Sequence, residues 1–162
     1  MLDIVTYGNP VLTEKAKEVA EFGSSLEKTI EEMHLAMRRD RGIGLAAPQV
    51  AIGLRLFIVE LDNEPLRVFI NPRITAMSQE TSEYEEGCLS FPGLYFNVVR
   101  PSAVEIEAQD IRGQFFKLKA DGLLARVIQH EYDHLEGVLF IDRISPLKRR
   151  RALAHYQKLL NM

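Results

Sequence analysis

An α+β fold is predicted, with short antiparallel strands packed around a central HExxH-bearing helix and a further helix towards each end of the chain. Two observations predict it: four short β-branched or alternating runs lie between three stretches of helical periodicity, and no repeat or Gly/Ser-rich linker interrupts them. The 162 residues are 46% hydrophobic and 27% charged, ordinary globular usage, so a single domain over 1–162 is expected.

The elements follow in order. Ser24 and Ser25 precede Leu26, Ile30, Met33 and Met37, whose 4, 3, 4 spacing is the apolar stripe of an amphipathic helix, closed by Gly42. Residues 55–60 (RLFIVE), 67–71 (RVFIN), 103–108 (AVEIEA) and 115–119 (FFKLK) are strands bounded by turn residues such as Asp62-Asn63 and Arg112-Gly113. Over 121–135, Leu123, Leu124, Val127, Ile128 and Leu135 recur at helical spacing until Gly137 stops the run. Ser145-Pro146 has the form of an N-cap with proline at the first helical position, opening a charged helix over 147–160. Two uncharged stretches, 42–54 and 87–99, carry the Gly and Pro that a plain core strand avoids; they read either as buried turns or as the walls of an apolar cleft.

Charge and cysteine usage narrow the function. Twenty basic against 23 acidic residues leave a net −3, which argues against a protein that wraps DNA. Cys88 is the only cysteine, so no intramolecular disulfide can form and a cytoplasmic location is expected. No leader-like N-terminus and no apolar run near membrane-spanning length is present, so neither export nor membrane anchoring is expected.

The chemistry-bearing sequence is His130-Glu131-Tyr132-Asp133-His134. At about 100° per residue, two histidines four apart leave the same helix face and can share one metal ion, while Glu131 can reach water beside it as a general base. Two histidines underligate a catalytic transition metal, which usually takes three protein donors. Glu136 is too near in sequence and His155 lies on another helix, so Cys88, in the uncharged Gly87-Cys88-Leu89-Ser90 segment, is the better third ligand. Hydrolysis of a carbonyl compound then needs donors for an oxyanion, for which the Gln49 amide and the Leu89 backbone N–H are the candidates.

These motifs together resemble the peptide deformylase family: GIGLAAPQ at 42–49, EGCLS at 86–90 and QHEYDH at 129–134 stand in the family's order, and the likeness runs from the early YGNPVL at 7–12 to the late GVLF at 137–140. The resemblance implies removal of the formyl group from the N-terminal methionine of nascent polypeptides, releasing formate. It implies Cys88, His130 and His134 as metal ligands, Glu131 as general acid/base, and Gln49 with the Leu89 N–H as oxyanion donors. Ile43, Gly44, Leu89, Tyr95 and Val127 would form the slot for an unbranched methionine side chain. Ligand softness alone favours zinc. The resemblance implies Fe2+ instead, with Zn2+, Ni2+ or Co2+ as substitutes.

The sequence departs from the pattern after the cysteine motif, where some members carry a basic residue and this chain reads FPGLY at 91–95. Arg126, one turn before His130, either supplies a charge at the cleft rim or is a solvated or locally paired arginine. Lys148, Arg149, Arg150 and Arg151 form a basic run on the last helix; the resemblance implies docking on the ribosome near the exit tunnel, against the alternative of a solvated face. The competing functions are a zinc metallopeptidase, disfavoured by the upstream cysteine, and a non-catalytic metal-stabilised binding module, in which Glu131 would be dispensable.

Overall fold

The computed structural model describes residues 2–162. Along them the order is α1 (Ser24–Arg39), β1 (Gly44–Ala46), β2 (Leu56–Val59), β3 (Arg67–Met77), β4 (Thr81–Gly87), β5 (Tyr95–Pro101), β6 (Ala103–Gln109), β7 (Phe115–Asp121), α2 (Gly122–Leu135) and α3 (Pro146–Leu160), with short 3-10 turns before α1, after β1 and after α2. Strands β1-β2-β3-β6-β7 form one antiparallel sheet in that order, and β4-β5 form a separate two-stranded ribbon. This is the α+β architecture expected. No helix among the described residues is long and apolar enough to cross a membrane.

The sheet is covered by α1 on one side and α2 on the other, and β2 shows why. All four of its residues are buried, with Phe57 and Val59 packed into the α2 cluster and Leu56 and Ile58 into the α1 cluster. A strand buried on both faces reads as a continuous apolar run. Leu26, Ile30, Met33 and Met37 face that second cluster, as their spacing predicted. A third cluster of Phe91, Leu94, Val98, Phe140 and Tyr156 joins the ribbon to α3.

Several boundaries move, each for a local reason. Helix α1 is capped by Gly23, so Ser24 and Ser25 lie inside its first turn, and it ends at Arg39 because Arg41 turns left-handed (φ 60°) before Gly42. Strand β3 runs six residues beyond the predicted end; Asn71 (φ 49°) and Pro72 sit in a bulge that lets the strand bend and continue. Strand β7 passes directly into α2 at Gly122, whose φ of 55° makes the corner without a loop. Ser145 caps α3, its Oγ accepting from the Lys148 N–H at 3.2 Å.

Strands β1, β4 and β5 lack a periodic signal in the sequence. Strand β4 (TSEYEEG) is exposed from Thr81 to Glu85 and so carries no apolar alternation, β1 is only three residues long, and β5 turns the charged Arg100 inward.

Glu60, just past β2, fastens α1 to the sheet. Its carboxylate accepts from Arg38 Nε at 2.9 Å and lies 3.0 Å from His34 Nε2. These hydrogen bonds, Arg38 first, lower its pKa from 4.5 to about 2. A carboxylate depressed by folding adds stability that is complete above the unfolded value and is lost as pH falls through the folded one. Glu60→Gln is therefore expected to melt about 3 °C below the unsubstituted protein near neutral pH, with the gap closing as pH falls from 4.5 towards 2. Thermal melts across that range check it.

Candidate active site

His130 and His134 leave the same face of α2, and Cys88 comes to them from the end of the ribbon. One donor atom from each lies within 4.8 Å of the other two, and Cys88 Sγ is 3.5 Å from His134 Nε2. Local chain geometry delivers the cysteine. The Tyr95 ring lies where a Gly87 side chain would stand, so β5 can close over β4 there, and the chain then turns with the Phe91 N–H donating to Cys88 O at 2.9 Å.

Behind the histidines lies a buried charge network that sequence reasoning missed. Glu86 Oε1 is 2.9 Å from His130 Nδ1, which leaves Nε2 of that ring to face the site. The same carboxylate accepts from Arg100 at 2.6 and 3.0 Å and from Arg126 at 2.8 Å. Arg100 continues to Asp133 at 2.9 Å, and Arg143 closes the chain with Nε 2.9 Å from Asp133 Oδ2. Glu86, Arg100, Arg126 and Asp133 are all buried. Buried charges persist only when paired, and removing one partner of such a pair costs about 3–5 kcal/mol. Arg126 is therefore not a solvated rim charge; it is a buried, locally paired arginine. No pattern in the sequence marks these four as interior, because charged residues default to the surface.

The network fixes the protonation preferences. Burial pushes the Glu86 carboxyl up, but hydrogen bonds from His130 and Arg100 outweigh it and hold the group well below the usual carboxylate range. Burial lowers the His130 pKa, yet contacts with Cys88 and Glu86 and the nearby Glu131 charge hold it well above its ordinary value. For His134, burial and then the positive charge of His130 and Arg100 act together downwards. Burial likewise pushes Glu131 up to about 7, the range suited to moving a proton near neutrality.

Glu131 is buried, and its Oε1 has no hydrogen-bond partner among the described residues; its Oε2 lies 2.6 Å from where a Cβ on Gly44 would stand. A side chain on residue 44 would have to push the Glu131 carboxylate and Val127 aside. Gln49 is oriented through its oxygen, which accepts from the Ala46 N–H at 3.0 Å, leaving Nε2 3.2 Å from Ser90 Oγ and 3.6 Å from Cys88 Sγ. The Leu89 N–H donates to no backbone carbonyl among the described residues. Ile43, Gly44, Leu89, Tyr95 and Val127 all line one cleft of about 710 Å³ together with Gln49, Cys88, His130 and Glu131. The 42–54 and 87–99 stretches thus contribute cleft walls. Glu136 is engaged with Arg55 at 2.8 Å, and His155 is exposed on α3; neither joins the cluster.

A thiol and two imidazoles are donors that divalent transition metals accept, and three of them with an adjoining open cleft match a catalytic rather than a closed structural site. The unpartnered Glu131 Oε1 leaves polar capacity there for something other than protein. The residues fit a metal ion. An HExxH helix with cysteine as third donor beside a cleft defines the class: a metal-dependent hydrolase.

Comparison with known proteins narrows the class. The sequence profile described as polypeptide deformylase matches residues 1–150. The peptide deformylase of Treponema pallidum (strain Nichols) is 47% identical over 158 residues, covering 98% of this chain and 97% of that protein. Among solved structures, the peptide deformylase of Synechococcus elongatus in complex with actinonin superposes with a TM-score of 0.91 at 44% identity, over 95% of this chain and 86% of that one. That of Thermotoga maritima gives 0.87 at 45% identity, over 90% and 99%. The chain belongs to the peptide deformylase family.

Since Glu86 orients the His130 ring, Glu86→Gln is expected to weaken metal binding about 10- to 100-fold, the usual cost of losing a histidine ligand's outer partner. Chelator competition measures it. Unchanged affinity would show that packing alone holds the ring.

Proposed function

We propose that this chain hydrolyses the formyl group from the N-terminal formyl-methionine of nascent polypeptides, yielding formate and a free amine. The observation that carries the reading is the convergence of Cys88, His130 and His134 within 4.8 Å, beside a buried Glu131 with an unpartnered oxygen, in a chain of this family. Cys88, His130 and His134 hold the metal. A bound divalent ion supplies Lewis acidity, polarising the formyl carbonyl and acidifying water.

The chain's own groups do the rest. Glu131 takes the proton of the attacking water and returns it to the nitrogen as the C–N bond breaks, a transfer for which its raised pKa suits it. Gln49 and the Leu89 N–H donate to the formyl oxygen as it gains charge; in Gln49 the hydrogen now on Cys88 Sγ, its longer contact, is the one that serves. Ile43, Gly44, Tyr95 and Val127 bound the slot for the methionine side chain.

The metal is Fe2+, with Zn2+, Ni2+ and Co2+ as substitutes acceptable to the same donors. The chain acts as one domain over 1–162, supported by a profile match from residue 1 to 150. Its place is the cytoplasm, where a lone thiol ligand stays reduced. Helix α3 docks on the ribosome near the exit tunnel through the basic run Lys148, Arg149, Arg150 and Arg151, of which Lys148, Arg150 and Arg151 are exposed and Arg149 is partly spent on Asp142 at 3.2 Å.

Two measurements test this. Glu131→Gln is expected to retain metal but lose about 10²- to 10⁴-fold in formate release from a formyl-methionyl peptide, because the amide cannot accept the proton. Metal retention at the unsubstituted rate would sink the assignment of Glu131 as the general acid/base. Charge reversal at Arg149, Arg150 and Arg151 is expected to weaken co-sedimentation with ribosomes at low salt, less so at high salt, while short-peptide turnover stays unchanged. Equal sedimentation at low salt would leave the basic run a solvated face.

A further inference from the structure

The cleft adjoins a second hollow. Tyr95 lines the cleft and also lines a groove of about 370 Å³ between β5 and α3. Its exposed ring lies over Gly87 on the outer face of the ribbon, so one aromatic step separates the two cavities. Tyr95, Phe96 and Asn97, consecutive in β5, all line the groove, as the edge of a strand would rather than its face. Strand β5 pairs with β4 alone, so that edge has no strand partner. An open edge beside a groove suits an extended peptide.

The groove also has a charge of its own. Its deeper lining, Leu94, Phe96, Ile144 and Ala152, is apolar and at least partly buried, while Lys148, Arg151 and His155 stand exposed along α3. At about 100° per residue these three fall within about 60° of one another on the helix, whereas Arg150 lies about 160° from Lys148. The basic run therefore divides between two faces. Unlike Arg149, which meets Asp142, neither Lys148 nor Arg151 is paired with a carboxylate among the described residues. The groove's one acidic residue is Glu83, whose Oε1 accepts from Asn97 Nδ2 at 3.0 Å. Two unpaired cations against one engaged carboxylate make the groove positive, in a chain of net charge −3.

A polypeptide held by its first residue can reach it. Gly87, next to Cys88, stands opposite Tyr95 in the ribbon, and from β4 across β5 to the open edge is about two strand spacings, about 10 Å. Three extended residues cover that length. We propose that the groove between β5 and α3 is an exosite for the substrate polypeptide beyond its first three residues, favouring acidic side chains at about the fourth to sixth positions. The proposal rests on the deformylase reading and adds a second point of selection, remote from the formyl group.

The test compares kcat/KM for the amidated peptides formyl-Met-Ala-Ala-Asp-Asp-Asp and formyl-Met-Ala-Ala-Asn-Asn-Asn, with formyl-Met-Ala as the short reference. At low salt the unsubstituted enzyme is expected to prefer the acidic peptide about five- to tenfold, as two or three exposed ion pairs would give, and the preference is expected to fade at about 0.5 M salt. It is expected in KM with kcat unchanged, because the contact is the same before and during the reaction. Lys148→Glu with Arg151→Glu is expected to bring the ratio below one while turnover of formyl-Met-Ala stays as it was. Lys148→Gln with Arg151→Gln, expected at a ratio of about one, serves should the reversal fold poorly. Arg150→Glu, on the other face of α3, is expected to keep the preference; a loss as large as that of the groove pair would assign the effect to the helix's overall charge and overturn the proposal. Equal KM for both long peptides in the unsubstituted enzyme overturns it too, while turnover of formyl-Met-Ala leaves deformylation standing. Turnover of no peptide overturns the deformylase reading itself, and calorimetric binding of the acidic against the amide peptide then decides the groove.

Discussion

The Glu86 carboxylate receives His130, Arg100 and Arg126 at once, in a place almost without solvent. Its charge would be prohibitively costly there alone, and so would each guanidinium. Together they are satisfied, and the arrangement of the site follows: one bond aims the His130 ring, one ties α2 through Arg126 to β4 and β5, and one leads through Arg100 to Asp133 on the same helix as both histidines. The electrostatics that make the interior tolerable also set where the donor atoms point.

The sheet serves this arrangement by holding α2 still. Gly122 joins β7 to the helix with no intervening loop, and Ala125, Val127, Ile128 and Leu135 pack on the sheet face. The face that remains carries His130 and Glu131 to the cleft and His134 to Cys88. At the far end, Gly137 (φ 73°) turns the chain so close to Thr13 that a Cβ would stand 2.7 Å from its carbonyl oxygen. Both ends of the helix are fixed by backbone conformations that favour glycine.

The parts of this molecule that were legible in the sequence are those where chemistry and periodicity coincide. Spacing alone placed His130 and His134 on one helix face, and the need for a third donor picked out Cys88, which the fold brings to them. Apolar stripes revealed α1 and α2, and Ser145-Pro146 revealed the start of α3. What stayed hidden obeys no pattern. The exposed Thr81–Glu85 stretch of β4 offers no alternation, and Glu86 meets Arg100 and Arg126 only in space, from 14 and 40 residues away along the chain. Glu86 stood inside the EGCLS motif, the one available hint, but its partners could not be named without the fold.

The ribbon that carries Cys88 and Glu86 is not hydrogen-bonded to the main sheet. Its seam with α2 is made largely of ionic contacts, while the apolar cluster around Phe91, Val98 and Phe140 anchors it from the side of α3. The catalytic cleft therefore runs along the joint between two separately built pieces. Any fluctuation that parts them opens the cleft and separates the cysteine from the histidines in one movement, so amide hydrogens of β4 and β5 report on the integrity of the site. Part of the ribbon's mechanical hold on α2 thus rests on the same Glu86 contacts that aim the His130 ring.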